Sequence, residues 1–172
     1  MTINKKNVVL YAIIGYLTII SLSTSGFLIY SIGEIIAKRN EMLMISLVLN
    51  LAMTAFNIMF FRMKRQKKDY RLILLFNSIY AIIYGFAIKV AGVLVINYLG
   101  FNISLLYIQN NGSSFELNYG GTNLNLELLS YDKSSEPGFS FAINLIMLVI
   151  SIALIYFYNS IRKSEKLTNQ PG

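Results

Sequence analysis

Four long apolar stretches dominate the chain: Val8 to Ile32, Met42 to Phe61, Leu72 to Leu99 and Phe139 to Tyr158. Each reaches the roughly 20 residues that a helix needs to cross about 30 Å of hydrocarbon. None contains proline; Pro137 and Pro171 both lie outside them, where a residue that breaks the helical ladder does no harm. Between the third and fourth stretches the pattern changes. Phe115-Glu116-Leu117-Asn118-Tyr119 alternates apolar and polar, and so does Leu124-Asn125-Leu126-Glu127-Leu128. A period of two predicts half-buried strands. Asn111-Gly112 suits a hairpin turn, and a further strand from Ile103 to Gln109 precedes it.

The expected fold is therefore an all-α integral membrane protein. It is a four-helix transmembrane bundle with a small extracytoplasmic antiparallel β-meander between spans three and four. Residues 1–99 hold the first three spans, 100–138 the β-rich loop, 139–160 the fourth span and 161–172 a polar cytosolic tail. One rival reading applies to the first stretch. Lys5 and Lys6 lead a hydrophobic run, and Ser23-Thr24-Ser25-Gly26 has the small residues of a signal-peptidase site. Phe27-Leu28-Ile29-Tyr30 prolongs the run beyond that site and favours a retained span.

Charge placement predicts the orientation. Lys5 and Lys6 precede span one, Arg62, Lys64, Arg65, Lys67, Lys68 and Arg71 join spans two and three, and Arg162, Lys163 and Lys166 follow span four. The other side carries only Lys38, Arg39 and Lys133, beside Glu34, Glu41, Glu116, Glu127, Asp132 and Glu136. A multi-pass protein of the cell membrane with both termini cytosolic satisfies this distribution. The Arg62–Arg71 cluster is a topology determinant and a candidate contact for anionic lipid headgroups. The net charge of +7 thus belongs to membrane edges and not to a nucleic-acid surface.

Composition narrows the chemistry. Apolar residues make up 55% of the 172 and charged residues 13%, about half the usual charged share of a soluble domain. The chain has no Cys, His or Trp. Disulfides, thiolate chemistry and the usual ligands of zinc, haem or iron–sulfur groups are absent with them, so no cofactor is expected. No Ser–His or Cys–His pair exists, no carboxylate lies within a span, and no phosphate-binding glycine loop is present. The chain reads as a non-enzyme.

Lys89 is the only charge inside a predicted span. If a helix enters hydrocarbon at Leu72, Lys89 lies roughly 26 Å further along. That position fits a lysine snorkelling to the outer headgroups; it also fits a buried lysine paired with a carbonyl or an anionic ligand. Asn50 and Asn57 in span two, Asn77 in span three and Asn144 in span four lie on small, polar helix faces. Such faces serve as interhelical contacts or line a hydrated path. Asn102-Ile103-Ser104 and Asn111-Gly112-Ser113 match the glycosylation sequon.

The four-span plan with an outer sheet resembles claudin-like tetraspan proteins. Those place the large outer loop between the first two spans, with a Trp and paired Cys. Here the loop follows the third span and has neither residue type, so the resemblance carries no function across. The expected role is an accessory or immunity-type subunit that binds a protein partner or a second copy through the outer strands, with Phe115, Leu117, Tyr119, Leu124, Leu126 and Leu128 as contacts. The alternative is an oligomeric channel or transporter component for a small or anionic solute, using Lys89 and the asparagine-lined faces.

Overall fold

The computed structural model describes residues 5–37, 41–90, 93–96, 100–109, 113–123, 130–131 and 139–168. Its helices are α1 (Lys5–Tyr30), α2 (Ile32–Ala37), α3 (Glu41–Arg65), α4 (Arg71–Ile83) and α5 (Leu145–Thr168). Its strands are β1 (Phe86–Val90), β2 (Val93–Ile96), β3 (Gly100–Gln109), β4 (Ser113–Asn123), β5 (Ser130–Tyr131) and β6 (Phe139–Asn144). Three helices, α1, α3 and α5, are long and apolar enough to cross a membrane.

The helices pack as antiparallel neighbours. Tyr11 of α1 meets Phe60 and Phe61 of α3, and Ser21 bonds Thr54 at 3.0 Å. Along α3 and α4, Phe60 meets Tyr70, Phe56 meets Phe76 and Asn50 meets Tyr80. Ser78 of α4 bonds Ser151 of α5 at 3.2 Å. Ile14, Leu17, Met53, Phe60, Leu74, Met147 and Leu154 are fully enclosed, while Ile19, Leu22, Val48, Ile58, Val149 and Ile152 face outward. That outward apolar coat suits lipid and not water. Thr18 and Ser25 of α1 return their hydroxyls to carbonyls four residues back, which satisfies them without a partner helix.

Two predicted spans change in form. The third apolar stretch is helical only from Arg71 to Ile83, 13 residues or about 20 Å. Beyond it lie β1 and β2. A run that is apolar on every side does not distinguish helix from buried strand by period. The decisive signals are Gly85 and the β-branched residues Ile88, Val90, Val93, Val95 and Ile96. A Cβ at Gly85 would lie 2.8 Å from the Ala81 carbonyl oxygen and 3.2 Å from Met147 Cβ, so only glycine lets α4 end against α5. The fourth stretch likewise opens as a strand, Phe139–Asn144, before α5 begins. Its Phe-Ser-Phe-Ala-Ile-Asn alternation is a strand signal that the apolar run obscures. α5 continues to Thr168, into the segment read as tail.

The sheet is antiparallel, in the order β4-β3-β6-β1-β2-β5. It is larger than a three-stranded meander because β1, β2 and β6 come from the two apolar stretches. The predicted hairpin is present: β3 pairs β4 with Leu105 opposite Leu117 and Tyr107 opposite Phe115. The expected strand Leu124 to Leu128 lies outside the described residues, as do Asn111 and Gly112.

Gly85→Ala is expected to lower stability by about 1–3 kcal/mol, the usual cost of overpacking. Gly15→Ala, where a Cβ meets nothing within 4 Å, is expected to be neutral or mildly stabilising, as helical glycines are. Thermal unfolding followed by circular dichroism in detergent micelles checks the contrast; equal midpoints for the two variants would contradict the packing described.

Candidate functional site

Three groups of residues carry the candidate chemistry, and the structure separates them. The first is the polar layer inside the helices. Asn50, in α3, accepts a 2.6 Å bond from the Tyr80 hydroxyl and donates to the Ser46 carbonyl at 2.8 Å. Thr54 donates to the Asn50 carbonyl and meets Ser21. The Tyr84 hydroxyl faces Ser46 and Asn50 without reaching hydrogen-bond geometry. Asn77 donates to the Ile73 carbonyl at 2.9 Å, and its own carbonyl oxygen is unpartnered. Asn57 is fully buried, and both of its amide atoms lack a protein partner.

Asn144 is not part of that layer. It sits at the last position of β6 and caps α5: its Oδ1 accepts from the backbone N–H groups of Ile146 at 3.0 Å and Met147 at 3.2 Å. That is the geometry of a helix N-cap. Its Nδ2 donates to the Phe101 carbonyl at 2.8 Å. The signal was available: an asparagine immediately before an apolar helical run.

Lys89 is not within a helical span either. It lies on β1, between Ser140 of β6 and Leu94 of β2, so it does not join Asn50, Asn57 and Asn77 on a common helical face. The correction has the same cause as the shortened α4: the chain changes from helix to strand at Gly85.

The second group is the basic connector, which divides by partner. Arg71 holds Asp69 through a bidentate pair at 2.7–3.0 Å, and the Arg71 backbone N–H also donates to that carboxylate. These bonds hold the Asp69 carboxyl below the usual carboxylate range. Lys64 donates to the Tyr70 hydroxyl at 2.6 Å and lies over its ring. Lys67 takes a left-handed φ of 54°; with Lys68 donating to the Met63 carbonyl, it closes α3 in a Schellman turn. Arg62 and Arg65 line a recess of about 550 Å³ with Phe61 and Gln66. Two guanidinium groups over an apolar wall can hold a phosphate.

The third group is one face of the sheet. The register aligns Leu117, Leu105, Ile143 and Phe86 in one row across four strands. It aligns Phe115, Tyr107, Phe141 and Ile88 in the next. The third row is half polar, with Ser113 and Gln109 beside Phe139 and Val90, and Tyr119 pairs with Ile103 on the helix side. Among the described residues no charged side chain falls on this face. Tyr107 packs on Phe115 at 4.9 Å and Phe86 on Phe141 at 5.8 Å. Even so, Phe115 is 72% exposed, Leu117 61% and Tyr119 78%. The opposite face carries Glu116 and Lys89, the half-buried Leu106 and Ile108, and Ser104, Ala142 and Ala87, of which the last three are buried. Leu124, Leu126 and Leu128 lie outside the described residues. Alternation in β4 was legible in the sequence; that β6 and β1 extend the same face was not.

An apolar cleft of about 270 Å³ between α4 and α5, walled by Ala81, Ile82, Gly85, Phe86, Leu148 and Ile152 among others, holds no ionisable group. Among the described residues no three of His, Cys, Asp and Glu gather.

Removing a bonded amide and an unbonded one should have opposite effects. Asn50→Leu strands the Tyr80 hydroxyl and is expected to cost about 1–3 kcal/mol. Asn57→Leu replaces an amide without protein partners and is expected to be neutral or stabilising. Thermal midpoints in micelles measure both; a larger loss at Asn57 would mean that its amide binds something the rest of the protein needs. Compared with family models, with curated proteins and with solved structures, the chain finds no match.

Proposed function

We propose that this is a multi-pass protein of the cell membrane, with both termini cytosolic, that acts as a non-enzymatic interaction or accessory subunit through its sheet. The observation that carries this reading is the uncharged apolar face running across β4, β3, β6 and β1. A water-facing sheet normally presents polar side chains on its open face; an open face of this kind marks a contact surface.

In this reading the third crossing is made by α4 and β1 together. The 13 residues of α4 span about 20 Å and the five of β1 about 16 Å. Together they exceed the roughly 30 Å of hydrocarbon. The basic connector then lies at one boundary and Lys89 at the other. β1 is flanked by β6 and β2, so its peptide groups are paired, as a lipid-embedded segment requires. This reading favours the boundary role for Lys89. The basic connector contributes headgroup contacts, with Arg62 and Arg65 the best placed. Conduction has less support, because Lys89 lies on the sheet while Asn50 and Asn144 have structural partners.

The natural absence of Cys makes single-cysteine labelling clean. With a membrane-impermeant maleimide on intact cells, Ser113→Cys is expected to react and Lys67→Cys only after permeabilisation. Reaction of both from outside would overturn the sidedness. In mild detergent the protein is expected to migrate as an assembly larger than its 19.5 kDa chain, and Leu105→Glu is expected to dissolve it with helix content unchanged. A lone monomer in both forms would overturn the interaction role.

A further inference from the structure

Resting on the reading of the sheet as the interaction element, we propose that its partner is a second copy of this chain. The two apolar faces pack against each other about a two-fold axis parallel to the strands.

The charges on the opposite face set a water line. Glu116 is exposed, and an exposed carboxylate does not stand in hydrocarbon. Its row includes Ala87, roughly 25–30 Å along α4 and β1 from Arg71. The row of Phe115, Tyr107, Phe141 and Ile88 lies between the Glu116 and Lys89 rows. It therefore stands at headgroup level or above, where lipid tails do not cover it. Lipid solvation alone leaves these rings in contact with water; a protein surface is needed.

Symmetry and area favour a copy. β6 leads directly into α5, and β1 follows α4 after a short turn; in the proposed dimer the strands continue broadly along the helices and across the membrane. Two chains inserted with the same orientation are related by an axis along the membrane normal. For sheets whose strands follow that axis, the operation brings face to face with strands nearly aligned. Stacked sheets adopt this arrangement, about 10 Å apart. Pairing two β4 edges antiparallel would instead invert one copy in the bilayer. The face has no charge that calls for a complementary charge, so it matches itself. Seven of its side chains, four of them in the rows below Glu116, are 39–78% exposed; at roughly 200 Å² for each when fully open, a facing copy would cover on the order of 750 Å², part of it taken over from lipid. A standard interface takes about 800 Å² per partner.

The test uses the full chain in native membranes, with single cysteines and a short bis-maleimide. Leu105→Cys and Leu117→Cys are expected to give a band at twice the monomer mass, and Glu116→Cys, on the other face, to give none. Adding Tyr107→Glu to Leu105→Cys is expected to abolish the band, with the sheet and helix signals in circular dichroism retained. Equal crosslinking from both faces, or none from either, overturns the proposal. A heteromeric assembly without self-crosslinking overturns self-pairing and leaves the interaction role standing. A lone monomer without crosslinks overturns both.

Discussion

Backbone groups that water does not reach must find partners within the protein, and one residue meets most of that demand where helices become sheet. The Asn144 N–H donates to the Gly85 carbonyl at 2.7 Å, joining the end of α4 to the start of α5. Its side-chain oxygen caps two orphan amides of α5, and its side-chain nitrogen ties β3 through Phe101. Phe101 also meets Tyr16: the rings stack at 6.2 Å, and the Phe101 N–H donates to the Tyr16 hydroxyl. One residue thus connects α4, β6, α5 and β3, and α1 joins them through β3. The glycine across from it leaves no room for a Cβ, so neither half of the junction tolerates much change.

This junction explains where the sequence was readable. Helices α1 and α3 follow from apolar length and basic flanks, because no other element competes for those residues. The β3–β4 hairpin follows from alternation on either side of Asn111-Gly112. The ends of the third and fourth stretches did not announce themselves, because a strand with apolar residues on both faces and a continuously apolar helix read alike by period. Gly85 and Asn144 were visible as residue types. Their meaning as a helix stop and a helix start depends on each other, and the two are 59 positions apart in the chain.

The candidate residues sort by the same logic. Asparagine and serine faces inside the bundle were expected either to glue helices or to wet a path, and mostly they bond at short range. Asn50 with Tyr80, Thr54 with Ser21 and Ser78 with Ser151 join neighbouring helices where the shared apolar environment gives no hydrophobic preference for association. Asn57, whose whole amide bonds to no protein group, departs from this, as do the Ser46 hydroxyl and the Asn77 side-chain oxygen. The basic connector divides likewise: Lys64, Lys67 and Arg71 have identified structural roles in the loop, while Arg62 and Arg65 line an open recess.

What distinguishes the sheet from these groups is that its order and its exposure point in opposite directions. Three register pairs between β3 and β4 (Ile103–Tyr119, Leu105–Leu117 and Tyr107–Phe115) and two between β3 and β6 (Leu105–Ile143 and Tyr107–Phe141) align large apolar side chains row by row, and such alignment normally builds an interior. The burial goes instead to the face with Ser104, Ala142 and Ala87, whose small side chains let the sheet lie close to the rest of the protein. In the proposed dimer the facing sheet supplies an uncharged surface of similar width. Bilayer tails supply one only below the level marked by Glu116, so the rows above that level are the ones that a second copy would cover.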